Sequence, residues 1–289
     1  MQYVYGFRSN IKYEVRLIKM KVYDKQTGRL GNAIFRYLAS SLFCILYGAE
    51  RTCSIEECDA VMTDGVFFEW AEKIVNNEQY QVPYEQCYIF DGYFQHDDIY
   101  KKFKNELVSW IQNHPNDVLK TDGNVPFYRA IDIITNAPSV KTYDTVVHIR
   151  LEDFVICDCV IHPLSLKNIL DRLDTTSFCF VCNKISNEIE EQYVDFFKQY
   201  YDVTIESNDV LQDYTIMRNA KTLVCSLSTL SWCAALFSNI AQTVYFPDYT
   251  IHRIHETFKR PCIDTIHYPF VKCTANELFQ FLNETRLQK

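Results

Sequence analysis

From Thr145 to Phe246 the chain alternates short apolar runs with segments of helical period, and this alternation constrains the fold more than any other feature. Strand-like runs cover Thr145–Leu151, Ser177–Cys182, Val203–Glu206, Thr222–Cys225 and Thr243–Phe246. Helical patterns lie between them, starting at Pro163, spanning Glu188–Tyr200, starting near Asp209 and spanning Leu230–Ser238. Strands joined by helix-length crossovers pair in parallel and are covered on both faces. The expected class is α/β, and four or five such strands make a Rossmann-like half.

The first half carries the same signature less regularly. Leu17–Tyr23 reads as a strand, Gly28–Asn32 as a turn, and a helix to about Tyr47 puts Ile34, Tyr37, Leu38, Ser41, Leu42 and Ile45 on one stripe. Cys87–Phe90 is a further strand, and Asp97 to about Asn113 an amphipathic helix closed by His114-Pro115. From Pro115 to Lys141 the chain turns polar, with Asp122-Gly123, Pro126 and Pro138, so a domain boundary is expected there. Residues 1–140 then form one domain and 141–289 another, a division that 289 residues can support. The last pattern, Ala275–Leu287, is an amphipathic helix free to pack back on the N-terminal domain.

Charge excludes some functions. Lys and Arg total 29 against 37 Asp and Glu, a net −8, the wrong sign for wrapping nucleic-acid phosphates or lying on anionic lipid. With 48% hydrophobic and 23% charged residues, disorder is not expected either. The twelve cysteines are spread along the chain, several inside apolar runs (Cys44, Cys225, Cys233), and read as buried thiols of a reducing compartment. Cys179 and Cys182 read the same way, with no second pair to complete a zinc site. The first twenty residues carry charges throughout, and no window approaches eighteen uncharged apolar residues. Neither a secretion signal nor a membrane span is expected, and the cytoplasm is the expected location.

All seven glycines lie at or before Gly123, so the second half has no glycine-rich dinucleotide loop. Phosphates bound there need another device. The segment Cys225–Trp232 offers one: a buried strand, then Ser226, Ser228 and Thr229, then a helix whose N-terminal amides and hydroxyls suit an anion. A plain helix cap fits the same residues. At the end of an earlier strand, alternation sends His148 and Arg150 to one face and Val147, Ile149 and Leu151 to the other. An arginine on an interior strand must meet an anion, either a ligand or a carboxylate such as Glu152 or Asp153. Both segments should converge outside the carboxyl ends of the strands.

Four segments, taken in order, resemble the inverting fucosyltransferases of the α1,2 type, which share motifs with the α1,6 and protein O-fucosylating enzymes. A G-G-L-G-N-Q-x-F-Q-Y turn is matched by Gly28-Arg29-Leu30-Gly31-Asn32-Ala33-Ile34-Phe35-Arg36-Tyr37, and G-Y-x-Q by Gly92-Tyr93-Phe94-Gln95. The H-x-R-R-G-D motif is matched by His148-Ile149-Arg150-Leu151-Glu152-Asp153. An S-N-S-S-F-S-W-W-A-A segment is matched by Ser226 to Ala235, with Asp213 and Met217 ahead of it.

The resemblance implies a GT-B-like glycosyltransferase, with two Rossmann-like domains facing a cleft, the acceptor on the N-terminal side and the donor on the C-terminal side. It implies no metal and no cofactor, only a nucleotide-sugar donor, GDP-fucose in first place, and a glycan acceptor. The absence of any Asp-x-Asp pair agrees with this. By resemblance, Arg150 stabilises the departing diphosphate, and Asp153 or the adjacent Glu152 takes the acceptor proton. His148, Asn183, Asp213, Ser226, Ser228 and Thr229, with Arg29, Gly31 and Asn32 from the other domain, surround the donor. Asp91, Tyr93, Gln95 and His96 lie on the acceptor side.

Three departures bear on the donor. Leu151 replaces the second motif arginine, Glu152 replaces the motif glycine, and Cys182-Asn183-Lys184 stands where the resembled enzymes tend to have S-D-D. A guanine reader wants a carboxylate, so UDP-xylose or another rhamnose or galactose donor stays open, as does a non-catalytic glycan or nucleotide binder. His252 and His255 read as surface histidines, and Glu188-Ile189-Glu190-Glu191 as the solvated first turn of a helix.

Overall fold

The computed structural model describes residues 20–52, 54–80, 87–122, 128–135, 141–248 and 265–287. Leu17–Lys19, Gly123 to Phe127, Pro138 and the His252–His255 pair lie outside them.

The first half forms a four-stranded sheet. The strands are β1 (Lys21–Asp24), then after α1 (Leu30–Tyr47) β2 (Glu50–Arg51) and β3 (Ala60–Met62), and after α2 (Asp64–Val75) β4 (Cys87–Phe90). Their order is β2-β1-β4-β3, and every pair is parallel. Helices α3 (Asp97–Lys102) and α4 (Lys104–Asn113) follow, where the periodicity reads as one continuous helix; Phe103 interrupts it. A small antiparallel pair, β5 (Val118–Leu119) and β6 (Tyr128–Arg129), leads towards the second half.

The second half opens with β7 (Thr145–Ile149), α5 (Asp153–Ile156), β8 (Val160–Ile161), α6 (Pro163–Leu170), β9 (Ser177–Cys182) and α7 (Glu188–Lys198). It continues with β10 (Asp202–Glu206), α8 (Val210–Arg218), β11 (Thr222–Val224), α9 (Thr229–Phe237), β12 (Thr243–Pro247), β13 (Thr265–Tyr268), β14 (Lys272–Cys273) and α10 (Ala275–Leu287). Six strands pair in parallel in the order β10-β9-β7-β11-β12-β13. This is the doubly wound order, in which the chain starts centrally, winds outwards and returns to wind the other way. The reversal falls between β7 and β11. Two Rossmann-like units facing a cleft make the architecture GT-B-like.

The units share a core. α1 is buried almost all round, and α9 of the second unit presses against it: the rings of Phe35 and Trp232 lie 4.4 Å apart, and those of Tyr100 and Trp232 6.3 Å apart. Arg218 and Tyr214 donate to the Ile133 carbonyl at 2.9 and 3.1 Å. By length and hydropathy alone α1 would pass for a membrane-crossing helix, but 78% of that window is buried inside the protein, as in a core helix. The opposite face of the second sheet has its own core under α6, α7 and α10. Among the described residues helix α10 packs on α7 and not on the first unit: Phe281 meets Phe196 of α7 at 5.4 Å, because its apolar stripe of Leu278 and Leu282 continues that second core.

Candidate functional site

A cleft of about 1150 Å³ opens at the carboxyl ends of β7 and β11 and reaches across to the first turn of α1. This is the switch point of the sheet, where neighbouring crossovers leave to opposite sides and uncover the strand ends.

On the β7 side, His148 is buried and its Nδ1 lies 2.8 Å from Ser226 Oγ, tying β7 to the loop after β11. Burial pushes the imidazole down to about 4, so it is neutral near pH 7. Arg150 follows, half-buried, with Nε and Nη2 at 3.0 and 2.9 Å from Asp153 Oδ1 and its guanidinium 5.7 Å from the Phe154 ring. Of the anions within reach, the strand arginine holds Asp153. Leu151 points inwards and is fully buried.

Glu152 has φ +37° and ψ −111°, a backbone region that favours glycine, at the position where the resembled motif has one. Two contacts hold it there. Its Oε2 accepts from Arg29 Nη1 at 2.9 Å, and its N–H donates to Glu190 Oε1 at 3.2 Å. Glu190 is therefore not part of a solvated face: it is buried, and its other oxygen accepts from the amide and hydroxyl of Ser186 at 2.8 and 3.1 Å. Asn187 Oδ1 accepts the Glu190 amide at 3.0 Å and so caps α7, while the Glu190 carboxylate holds the preceding Ser186.

On the β11 side, Ser228 caps α9, its Oγ accepting the Leu230 amide at 3.2 Å. Thr229 faces Gly31 across the units. A Cβ built on Gly31 would lie 2.3 Å from Thr229 Oγ1 and 2.8 Å from the Leu230 nitrogen, so only glycine permits this approach. The first turns of α1 and α9 thus abut, and both present the positive ends of their dipoles to the cleft. Gly28 turns the chain with φ +74°, its amide bound to Asp122 Oδ2 at 2.5 Å and its carbonyl accepting the Asp122 amide at 3.1 Å.

Further along the cleft, Asn183 accepts the Leu151 amide at 3.3 Å. Asp213 is buried, and its Oδ1 accepts from the Asn208 amide and side chain at 3.0 and 3.2 Å. Burial outweighs those donors and raises its carboxyl to about 6. At the other end Tyr93 is 56% exposed, and Gln95 reaches Asn32 at 3.4 Å. Asp64 sits beneath, accepting the amides of Tyr93 and Phe94 at 2.9 and 2.6 Å.

The structure brings Arg29, Gly31, Asn32, Tyr93, Gln95, His148, Arg150, Glu152, Asp153, Asn183, Asp213, Ser228 and Thr229 to one cleft. Three expected residues do not line it. Ser226 lies behind, engaged by His148; Asp91 pairs with Lys25 at 2.7 Å; and His96 is buried behind Phe68, stacked on its ring at 5.3 Å and 3.3 Å from Glu72. Lys184 lines the cleft at the end of the Cys182-Asn183-Lys184 segment, and Asp64, Phe68, Asp122 and Asn208 line it without a sequence signal beyond the Asp-Gly turn at 122. Among the described residues, no three His, Cys, Asp or Glu side chains group as a metal site.

No protein-family model matches the chain, and no curated protein matches it. Among solved structures, the E. coli heptosyltransferase WaaC with ADP is similar at 12% identity and a TM-score of 0.44, over 92% of this chain and 99% of that one. The dodecameric iron-containing heptosyltransferase TibC, in complex with ADP-D-β-D-heptose, is similar at 11% identity and a TM-score of 0.35, over 96% of this chain and 81% of that one. A second TibC structure, from enterotoxigenic E. coli, gives 12% identity and a TM-score of 0.34, over 92% and 77%.

Proposed function

We propose that the protein is a metal-independent inverting glycosyltransferase that moves a sugar, fucose from GDP-fucose in first place, onto a glycan hydroxyl. The observation that supports this most is convergence at the switch point: Arg150 and the first turn of α9 face Arg29, Gly31 and Asn32 over one cleft. Residues 141–289 take the donor and residues 1–140 the acceptor. Breaking the sugar–phosphate bond builds negative charge on the diphosphate, and a fixed guanidinium with aligned amides binds that charge better in the transition state than before it. His148, neutral and tied to Ser226, keeps the two strand ends in register. Asp153 accepts the proton of the attacking hydroxyl, with Glu152 as its neighbour, and the Tyr93 ring offers a face to the acceptor sugar. Cysteines that are free thiols among the described residues suit action in the cytoplasm.

A second donor reading has its own observation. Asn183 and Lys184 line the cleft where the resembled enzymes tend to have acids, and Asn183 Oδ1 already accepts the Leu151 amide, so that segment offers no carboxylate to guanine's N1–H and amine. That favours a uracil nucleotide, with xylose, rhamnose or galactose as the sugar. Thermal stabilisation by GDP, UDP, GDP-fucose and UDP-sugars, with and without chelator, tests both: ligand at 100 times its Kd adds ~2.7 kcal/mol. A selective, chelator-insensitive shift names the nucleotide, and Arg150→Ala should then lower turnover ~100-fold or more. Retained turnover in that variant overturns the mechanism, and binding without turnover favours a glycan- or nucleotide-binding protein.

A further inference from the structure

Two arginines from different units meet at one carboxylate. Asp153 Oδ1 lies 3.0 and 2.9 Å from Nε and Nη2 of Arg150 and 3.6 Å from Nη1 of Arg29. Glu152 Oε2 completes the ring, 2.9 Å from Arg29 and 3.7 Å from Arg150. The cluster is neutral in sum, faces the cleft, and stands beside the abutting first turns of α1 and α9. One guanidinium hydrogen-bonded to an anionic oxygen and a second within ion-pair distance of it reproduce the surroundings a phosphoryl oxygen needs. Leu151, next to Arg150, is buried and has no charge to offer, so the second cation comes across the cleft.

We infer that Arg29 and Arg150 form a two-guanidinium clamp for the leaving diphosphate, and that the Asp153 carboxylate holds the place of a phosphoryl oxygen until the diphosphate displaces it. This rests on the glycosyltransferase reading and adds a charge exchange to it. Arg29 is 62% exposed and its pairs contribute little to stability, so they exchange readily. Displacement frees Asp153 beside the sugar. The acceptor oxygen then bonds to C1, its proton passes to Asp153, and the C1–O electron pair leaves with the diphosphate between the two guanidiniums. The opposing view is a structural latch between units. The apolar contact of Phe35 with Trp232 already joins them, which leaves such a latch little to hold.

Clamp and latch differ in sign. Kd values for GDP, UDP and ADP are measured by calorimetry on the wild type, Arg29→Ala and Glu152→Gln, with thermal melts to establish folding. As a clamp residue, Arg29 when removed weakens the best-bound diphosphate about tenfold or more, the loss expected for a charged hydrogen bond. Glu152→Gln removes a competitor for Arg29 and tightens the same ligand severalfold. Changes of the same sign, or an unchanged Kd in Arg29→Ala, overturn the clamp. Failure of the wild type to bind any of the three is a different result and overturns the glycosyltransferase reading itself.

Discussion

Gly31→Ala tests whether the contact between α1 and α9 positions the site. The added Cβ would meet Thr229 Oγ1 at 2.3 Å, the Leu230 nitrogen at 2.8 Å and the Thr229 carbonyl carbon at 3.0 Å. Rotation of Thr229 removes the first clash, but the other two are backbone atoms and require the helices to separate. Overpacking of this kind costs ~2–3 kcal/mol, and alanine's better helix propensity returns up to ~1 kcal/mol. The net loss is then ~1–2 kcal/mol, which for a chain of this size lowers Tm by roughly 2–8 °C. Urea unfolding monitored by tryptophan fluorescence reads it. Thr229→Ala in the same chain should restore only a minor part, since the Leu230 contact persists. A Gly31→Ala protein as stable as the wild type, or full rescue by Thr229→Ala, would refute the reasoning.

Three further outcomes follow from single residues. Glu152→Gly releases a backbone strain of ~1–3 kcal/mol, against ~0–1 kcal/mol for the exposed Arg29 pair and ~0.5–1 kcal/mol of glycine chain entropy, so stability should hold or rise; a loss above ~1 kcal/mol in urea would sink it. His148 and Asp213 oppose each other in acid. The depressed His148 loses stability as pH falls from its unfolded value of about 6.5 towards about 4, whereas the raised Asp213 contributes stability that is full below about 3.9 and lost as pH rises through about 6. Asp213→Asn should expose the histidine slope, and stability titrated from pH 7 to 4 should fall more steeply than in the wild type; parallel curves would contradict it. Tyr93→Ala, an exposed ring, should raise acceptor KM severalfold and leave donor KM unchanged in a two-substrate assay.

The second unit was legible because burial on both faces makes its strands continuous apolar runs. Ser177–Cys182 falls at the expected bounds, as Cys87–Phe90 does in the first unit, and Ser228 and Asp209 cap helices where the patterns place their starts. Two- and three-residue strands such as β2 and β3 are too short to show a period, and with them α2 and its Asp64 and Phe68 were lost. The misplaced acceptor residues have a local cause. Phe94 takes φ +51°, so the chain turns sharply after Tyr93 and carries His96 into the core instead of along the cleft. Asp122 and Asn208 reach the site through loops, where no periodicity exists to be read. Arg29 stood in a motif, but its partners 123 and 124 positions away are a property of the fold.

The shared core also limits how a ligand can enter. Parting the units at Phe35, Tyr100 and Trp232 would expose three rings, each burying ~150–250 Å², and at ~25 cal/mol per Å² each ring costs ~4–6 kcal/mol. Opening the whole interface is thus too rare to serve turnover, and the wide hinge motion open to weakly joined domains is denied to this pair. Movement must lie in the polar mouth, where Arg29, Glu152 and Asp153 are substantially exposed and held by charge alone. Apolar packing fixes the distance between the two helix ends, and the side chains at the mouth can exchange partners without disturbing it. Raised salt should accordingly weaken diphosphate binding while leaving the unit interface intact, because screening acts on exposed charges and not on buried rings.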